Sequence, residues 1–190
     1  SLLDNISKII VPINPDDLQA QTLSYTHPEK LQFVAGGVER SDSVLAGLNI
    51  IRDRAHDDDW VLVHDVARPC VRLDDIQKLI ETLSEDEVGG VLANQVRDTI
   101  KQSVEHSFRV SSSLTRNQLW QALTPQMFRF GVLYQALNRA KKYKVSVTDE
   151  SAAIEALGYQ PLLVLGAYDN IKITYPEDLA LADYLLRQQV

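Results

Sequence analysis

Residues 60–69, WVLVHDVARP, set the architecture that the rest of the sequence follows. The first four are apolar and include two valines, which is typical of a strand buried on both faces inside a parallel sheet. Polar side chains follow immediately, and Pro69 prevents further strand pairing. Ligands of open α/β sheets bind just beyond the carboxyl ends of the strands. Asp65 and Arg68 therefore either belong to a binding site or form a structural ion pair.

Strand and helix patterns alternate on both sides of this stretch. Short apolar runs predict strands at residues 8–13, 31–35, 60–64, 90–96, 161–165 and 170–174. Apolar residues at helical spacing predict helices at residues 41–54, 76–83, 129–143 and 148–157, and a closing helix whose capping box joins Thr174 to Glu177. A turn is predicted at residues 124–126. The alternation predicts an α/β protein with a Rossmann-like, doubly wound and mostly parallel sheet.

Residues 100–110 follow a different, two-residue period. Ile100, Val104, Phe108 and Val110 share one side of it, and charged or hydroxyl side chains share the other. This pattern predicts a β-hairpin with its turn near residues 105–107. Because an isolated two-stranded hairpin is only marginally stable in water, we expect it to pack against a partner subunit.

The opening residues predict that further chain precedes them. Residues 1–6 are typical of the last turn of a helix, and the chain begins at Ser1 rather than at a methionine. A parallel strand is reached through a crossover of a dozen or more residues. A helix end followed by a strand therefore favours an upstream strand and loop.

The composition bounds the class of protein. Of the 190 residues, 45% are hydrophobic and 24% are charged, so one domain over residues 1–190 is expected. A net charge of -7 disfavours a nucleic-acid-binding surface, although local Arg and Lys side chains can hold a small anion. Cys70 is the only cysteine, which excludes an internal disulfide and suits the cytoplasm. There is no signal peptide and no apolar run near the roughly 18 residues of a membrane span.

The sequence carries no signature of nucleophilic or zinc catalysis. A G-x-S-x-G motif is absent, and Cys70 has no catalytic motif around it. The histidines lack the spacing of a zinc site, so each is interpreted as structural or exposed: His27, His56, His64 and His106. No metal ligands are expected from the protein.

Polar side chains collect instead where the predicted strands end. They are Asp65, Arg68, Arg97, Asp98, Thr99, Arg116, Thr124, Thr148, Asp169, Asn170 and Lys172. Taken singly, each is typical of a turn, a surface charge or a helix cap, and Thr148 is suited to the last of these. Taken together, their cations and hydroxyls suit the binding of a phosphorylated polyol at one edge of the sheet.

Six ordered motifs carry a resemblance to a known family. They are residues 36–48 (GGVERSDSVLAGL), 63–69 (VHDVARP), 96–99 (VRDT), 115–126 (TRNQLWQALTPQ), 148–150 (TDE) and 169–174 (DNIKIT). In this order they closely resemble the 2-C-methyl-D-erythritol 4-phosphate cytidylyltransferase family of the non-mevalonate isoprenoid pathway, over essentially the whole chain. The resemblance implies a nucleotide-diphospho-sugar transferase type of fold. It also implies cytidylyl transfer from CTP, with Mg²⁺ carried on the CTP phosphates.

The resemblance implies a role for particular residues. Backbone groups of Gly37 and Val38 and the Ser43 hydroxyl would hold the cytosine, and the Val66 main chain would lie along the nucleotide. Asp65 would bind the erythritol hydroxyls. The rest of the polyol pocket would be formed by Arg68, Thr99, Thr124 and Thr148. Arg116 and Lys172 would be the catalytic residues and would grip the methylerythritol phosphate. The hairpin, residues 97–115, would be a dimerisation arm that carries Arg116 into the partner's site.

Two departures from the family pattern leave alternatives open. The family begins with a strand and a Gly-rich loop, bearing an Arg and a Lys, that wraps the triphosphate, and this sequence contains neither. Val38 also stands where some members carry a polar residue. One alternative is a related cytidylyltransferase acting on ribitol 5-phosphate; another is a non-catalytic module for substrate binding or dimerisation. Fusion to a later enzyme of the pathway is a further possibility.

Overall fold

The computed structural model describes residues 6–189. The helix end predicted at residues 1–6 falls outside this range except for Ile6, which is not helical. Two parallel strands come first, β1 (Ile9–Ile13) and β2 (Leu31–Ala35), with Ile9 paired to Leu31. The α1 helix (Arg40–Ile51) follows and packs on both strands. These predicted elements are confirmed to within a few residues at their ends.

A second sheet contains four strands: β3 (Trp60–Val63), β4 (Gly89–Gln95), β7 (Trp120–Arg129) and β8 (Leu162–Leu165). Their order is β3-β7-β4-β8. The β7 strand runs antiparallel to both β3 and β4, whereas β4 and β8 are parallel. The α/β class is confirmed, and the sheet is mixed because β7 opposes the other three strands. The β3 strand lies at the edge of this sheet, its four residues are only partly buried, and it pairs antiparallel to β7, so the prediction of a strand buried on both faces inside a parallel sheet was wrong.

Helices cover both faces of this sheet. They are α2 (Leu73–Leu83) on one face and α3 (Phe130–Tyr143) and α4 (Glu150–Glu155) on the other. The last helix, α5 (Asp178–Gln188), contacts the segment after β3 through Cys70. Along β4, Val91 and Ala93 join the core formed with α1, α3 and α4, while Leu92 joins the core formed with α2. Successive side chains of a strand point to opposite faces, so one strand supplies both cores. The doubly wound arrangement predicted from the sequence is therefore present. No helix within residues 6–189 has the length and apolar character needed to cross a membrane.

The turn predicted at residues 124–126 was wrong, because these residues lie inside β7. The pairing of β7 with β4 shifts register between Val91 and Ala93, which produces a bulge. Pro125 lies in this interruption of the ladder. A proline lacks the N–H that a ladder requires, and a bulge is where a strand tolerates it. Pairing with two neighbouring strands thus outweighs the local turn preference of Thr-Pro-Gln.

Two predictions near the end of the chain were also wrong. Residues 170–174 form no strand; the Ile173 N–H instead donates to the carbonyl of Ala67, in the loop after β3, at 2.8 Å. The Thr174–Glu177 capping box is not formed. The Asp178 carboxylate instead accepts the Thr174 and Tyr175 N–H groups at 2.8 and 2.9 Å. An aspartate inside the first turn thus replaces the predicted cap.

The start of α4 differs from its prediction in one residue. Its N-cap is Asp149, whose carboxylate accepts the Ala152 N–H at 2.9 Å, and not Thr148. Gly158 follows the helix with a φ of +92°, as expected for a glycine that ends a helix. Thr148 is left exposed and free of a capping role.

The predicted hairpin is confirmed. It consists of β5 (Lys101–Ser103) and β6 (Val110–Ser113), which pair antiparallel. The turn between them spans the predicted residues 105–107. Just after the hairpin, Arg116–Gln118 form a short 3-10 turn that leads into β7. The hairpin thus leaves the sheet after β4 and the chain returns to it as β7.

Candidate functional site

Asp65, directly after β3, lies at the centre of a network of charged groups. Its Oδ1 accepts a hydrogen bond from Arg40 Nε at 2.8 Å, and its Oδ2 accepts one from Lys172 Nζ at 3.0 Å. Partial burial would by itself raise the pKa of Asp65, but the hydrogen bonds from Lys172 and Arg40 outweigh it and hold this pKa below its usual value. Asp65 is therefore an ionised carboxylate with one cation on each oxygen.

Arg40 connects this carboxylate to a second one. Its two terminal nitrogens donate to the two carboxylate oxygens of Glu150, at 2.6 and 2.9 Å. The Glu150 side chain has no solvent exposure. Arg40 is the first residue of α1 and Glu150 the first of α4. The guanidinium thus ties two helix starts to the loop after β3 through a planar, bidentate geometry.

Thr124, in β7, holds the backbone of the same loop. Its hydroxyl accepts the Asp65 N–H at 3.0 Å and lies 2.9 Å from His64 Nδ1. His64 Nε2 lies 3.1 Å from the Arg68 carbonyl, which can only accept. Nε2 must therefore carry the proton, so in the neutral ring Nδ1 accepts from the Thr124 hydroxyl. The Thr124 hydroxyl is engaged on both sides by the protein, and it orients Asp65 through the backbone.

Arg68 turns toward the segment after β8. Its Nη1 donates to the Asn170 carbonyl at 2.9 Å. Asn170 is buried, and its amide donates to the Thr124 carbonyl at 2.8 Å. The predicted residues Asp65, Arg68, Thr124 and Lys172 are thus brought together at the carboxyl end of β3, with Asn170 supporting them.

The segment before α1 lies beside this network. The Gly37 N–H donates to Ser43 Oγ at 3.0 Å. A Cβ on Gly37 would approach the Asp42 Cβ to 2.2 Å, so only glycine fits there. Val38 and Val66 are 95% and 85% exposed, so their backbones lie at the surface. The predicted nucleotide-binding residues therefore line an open edge at the start of α1.

Three predicted residues lie outside the network. Thr99 and Thr148 are exposed. Arg116 is also exposed, and its guanidinium donates to the Arg97 carbonyl next to the hairpin. Among the contacts of residues 6–189, none joins Arg116 to Asp65 or Lys172. Within the described chain, the two predicted catalytic residues therefore make no direct contact with each other.

A separate cavity of about 400 Å³ lies at the opposite end of the sheet. Arg52, Asp57, Glu87 and Arg129 are among its lining residues, and none of the predicted site residues is. Arg129 donates to the carbonyls of Asp58, Ser84 and Asp86 and stacks on Trp60. This arginine is fully used in holding the ends of β3 and β4, so the cavity is not a candidate site.

Two members of the network were assigned no role from the sequence: Arg40 and Glu150, which lie inside the quoted motifs. His64, interpreted as structural or exposed, is structural, since it lies between the Thr124 hydroxyl and the Arg68 carbonyl. Arg40 and Glu150 are 110 positions apart, so no local pattern could pair them. A glutamate at the first position of α4 is typical of an exposed, dipole-stabilising residue. Its complete burial becomes evident only in the folded chain.

These features define the general class of the protein. It is an α/β protein with cations, a carboxylate and a glycine-containing loop gathered at the carboxyl end of a strand, where such folds bind phosphorylated ligands. Residues 1–188 match the family model described as IspD, 2-C-methyl-D-erythritol 4-phosphate cytidylyltransferase. The chain belongs to this family.

Individual relatives agree with the family model. The chain is 45% identical over 181 residues to the 2-C-methyl-D-erythritol 4-phosphate cytidylyltransferase of Pectobacterium atrosepticum, covering 95% of this chain and 74% of the relative. It is 44% identical over 183 residues to the Aliivibrio fischeri protein of the same name, covering 96% and 76%.

Solved structures give the same result. The crystal structure of the Francisella tularensis cytidylyltransferase superposes with a TM-score of 0.82 at 37% identity, covering 94% of this chain and 80% of that one. The bifunctional IspDF of Campylobacter jejuni superposes with a TM-score of 0.71 at 26% identity, covering 91% of this chain and 41% of that one. The fold around the site is therefore shared with proteins of this family.

Proposed function

We propose that the protein transfers the cytidylyl group of CTP to 2-C-methyl-D-erythritol 4-phosphate, producing 4-diphosphocytidyl-2-C-methyl-D-erythritol and pyrophosphate. The observation that carries this proposal is the network around Asp65, in which a carboxylate and an exposed ammonium adjoin each other beside the Gly37–Ser43 segment. A carboxylate accepts from polyol hydroxyls, and an ammonium binds a phosphate. The network thus contains the two groups that a polyol phosphate requires.

The reaction needs no covalent enzyme intermediate. A phosphate oxygen of methylerythritol phosphate attacks the α-phosphorus of CTP in line. The bond from that phosphorus to the oxygen bridging the β-phosphorus breaks, and pyrophosphate leaves with the bonding electrons. Catalysis then consists of positioning two polyanions and neutralising their charge. Lys172 and Arg116 supply positive charge at the attacking phosphate.

The remaining residues bind the substrates. Gly37, Val38 and Ser43 hold the cytosine, and the Val66 main chain runs along the nucleotide. Asp65 accepts from the erythritol hydroxyls, within a pocket completed by Arg68, Thr99, Thr124 and Thr148. Since the Thr124 hydroxyl already bonds the Asp65 N–H, its contribution is to orient Asp65.

Mg²⁺ would be held by phosphate oxygens of CTP. Within residues 6–189, no group of three His, Cys, Asp or Glu side chains could hold a metal ion, and both oxygens of Asp65 already bind cations. The phosphate oxygens would therefore supply most of the ligands of the ion. When bound there, the ion reduces the charge repulsion between the two phosphorylated substrates.

A homodimer completes the site through the hairpin arm, residues 97–115. The hydrogen bonds given by residues 101–113 stay within the hairpin, and Phe108 is fully exposed at its turn. Val104 and Val110 are 47% and 61% exposed. An apolar arm of this kind is suited to a partner's surface, where it would place Arg116 in the partner's site.

Residues 1–190 together constitute one cytidylyltransferase domain in this proposal. The cytoplasm is its compartment, because the single cysteine, Cys70, leaves the chain without an internal disulfide. Its partners are the two small substrates and a second copy of the chain, and no nucleic acid.

Turnover of competing polyol phosphates tests the function. The full-length protein is assayed for pyrophosphate release from CTP and Mg²⁺ with methylerythritol phosphate or with ribitol 5-phosphate. We expect kcat/KM to favour methylerythritol phosphate by at least about tenfold. Preference for ribitol 5-phosphate would select the related cytidylyltransferase. Binding of methylerythritol phosphate without pyrophosphate release would select the non-catalytic module.

A further inference from the structure

The two cations on Asp65 are held to very different degrees. Arg40 uses all three arms of its guanidinium: one binds Asp65, and two bind Glu150. The Lys172 ammonium donates to Asp65, and the Lys172 side chain is 47% exposed. The cation on Oδ1 of Asp65, Arg40, is therefore also held by a second carboxylate, whereas the cation on Oδ2, Lys172, is accessible to solvent.

The burial of Glu150 explains why Arg40 is held in one position. Glu150 is completely buried, so leaving its carboxylate without a partner would be strongly destabilising. Any motion of Arg40 away from Asp65 would break the two hydrogen bonds that its guanidinium donates to the Glu150 carboxylate. Arg40 therefore stays in place whatever binds to the other oxygen of Asp65.

Lys172 is bound much more weakly. A partly exposed lysine–carboxylate pair contributes little to stability, so little free energy is lost when the pair opens. The next residue, Ile173, donates its N–H to the Ala67 carbonyl at 2.8 Å, which keeps the Lys172 backbone beside the Asp65 loop. The ammonium can therefore change partners while its backbone stays in place.

We propose that Arg40, clamped by Glu150, is a positioning residue that holds Asp65 through Oδ1, and that Lys172 passes from Asp65 Oδ2 to the phosphate of methylerythritol phosphate when that substrate binds. The substrate's hydroxyls then donate to the vacated Oδ2. This inference rests on the proposed function. The number of hydrogen bonds to Asp65 is maintained, and the dianionic phosphate gains a cation.

Nitrogen NMR of the two side chains tests the exchange directly. The full-length protein, labelled with ¹⁵N, is titrated with methylerythritol phosphate in the absence of CTP. We expect the Lys172 Nζ signal to shift on saturation while the Arg40 Nε signal stays within its line width. Movement of both signals, or of Arg40 alone, would overturn the inference. Saturable binding with neither signal moving would also overturn it.

Kinetics of Arg40→Lys test the positioning role. One ammonium cannot reach both Asp65 and Glu150 in the way that a guanidinium does. We expect KM for methylerythritol phosphate to rise about tenfold, as for one lost charge-assisted hydrogen bond, with KM for CTP unchanged. Adding Arg40→Lys to Asp65→Asn should produce no further rise, because the group that Arg40 positions has already been altered. Arg187→Lys is the matched control, since Arg187 forms an exposed pair with Asp183.

The outcomes separate the inference from the function on which it rests. If Asp65→Asn leaves KM for methylerythritol phosphate unchanged, the proposed role of Asp65 is wrong. If Asp65→Asn raises KM but Arg40→Lys does not, only the positioning role fails. Independent, multiplying effects of the two substitutions would likewise show that Arg40 acts by another route.

Discussion

The two proposed catalytic cations, Lys172 and Arg116, lie in regions that differ in how many contacts hold them. Lys172 lies in a network that joins α1, α4, β7 and the loop after β3. Arg116 lies beside an exposed hairpin, where its guanidinium donates to one backbone carbonyl. The first region is assembled entirely by one chain. The second is held by local bonds, so its position relative to the substrate depends on what the hairpin contacts.

Removing either cation should produce the largest effect. We expect Lys172→Ala and Arg116→Ala each to lower kcat by about 10²–10³-fold, the scale of one lost electrostatic stabiliser. Steady-state kinetics with methylerythritol phosphate measure this. Near-normal turnover in both variants would remove them from the mechanism.

Mixing two inactive variants distinguishes the two regions. If Arg116 serves the partner's site, co-refolding Arg116→Ala with Asp65→Ala produces heterodimers in which one site has both residues. Activity should then return, although neither variant is active alone. Continued inactivity of confirmed heterodimers would mean that the arm acts within its own chain.

Truncating Glu150 should reduce the stability of the first region. A broken buried ion pair costs about 3–5 kcal/mol, but the Arg40 side chain is 35% exposed and can be hydrated, so we expect about 2 kcal/mol for Glu150→Ala. Urea unfolding measures this loss. Asp183→Ala, which breaks an exposed pair with Arg187, should cost less than about 0.5 kcal/mol. Equal losses in the two variants would contradict the buried role of Glu150.

Acidification should weaken the same region through His64. Removal of water from around the ring lowers the pKa of His64 below its ordinary 6.5. The unfolded chain therefore binds this proton first, so the His64 contribution to stability is complete above pH 6.5 and declines as pH falls toward the folded-state pKa. His64→Gln should lose less stability than the parent protein between about pH 7.5 and 5.5 in urea unfolding. An equal loss of unfolding free energy in His64→Gln and the parent protein over this pH range would contradict the role of His64.

Changing the tip of the hairpin should leave the fold nearly unaffected. Phe108 is fully exposed, so Phe108→Ser should change unfolding free energy by no more than about 0.5 kcal/mol. If the hairpin is the dimer arm, the same variant should dissociate at protein concentrations where the parent is dimeric, as measured by light scattering. Leu18→Ser, at an exposed leucine outside the hairpin, should remain dimeric. An unchanged mass for Phe108→Ser would argue against the arm.

Much of the fold could be predicted from the local sequence, because the spacing of apolar residues within a segment indicates whether it forms a helix or a strand. The helix predicted around residues 76–83 and the strand at residues 31–35 were confirmed for this reason. Polar residues that directly follow apolar strands predicted where a site would lie. Asp65 is the clearest case: it follows β3, and in the structure it contacts Arg40 and Lys172.

Only the tertiary structure revealed the features that depend on contacts between residues far apart in the sequence. Residues 124–126 have the local chemistry of a turn, yet β7 continues through them, because Gln126 pairs with both β3 and β4 and the ladder with β4 resumes at Ala122. The Arg40–Glu150 pair spans 110 residues, and the burial that makes it strong exists only after α1 and α4 have packed. Electrostatic strength depends on solvent exclusion, which is a property of the assembled chain and not of any segment. The sequence therefore predicted which residues would form a site, and the fold determined which of them lie together and are held by buried partners.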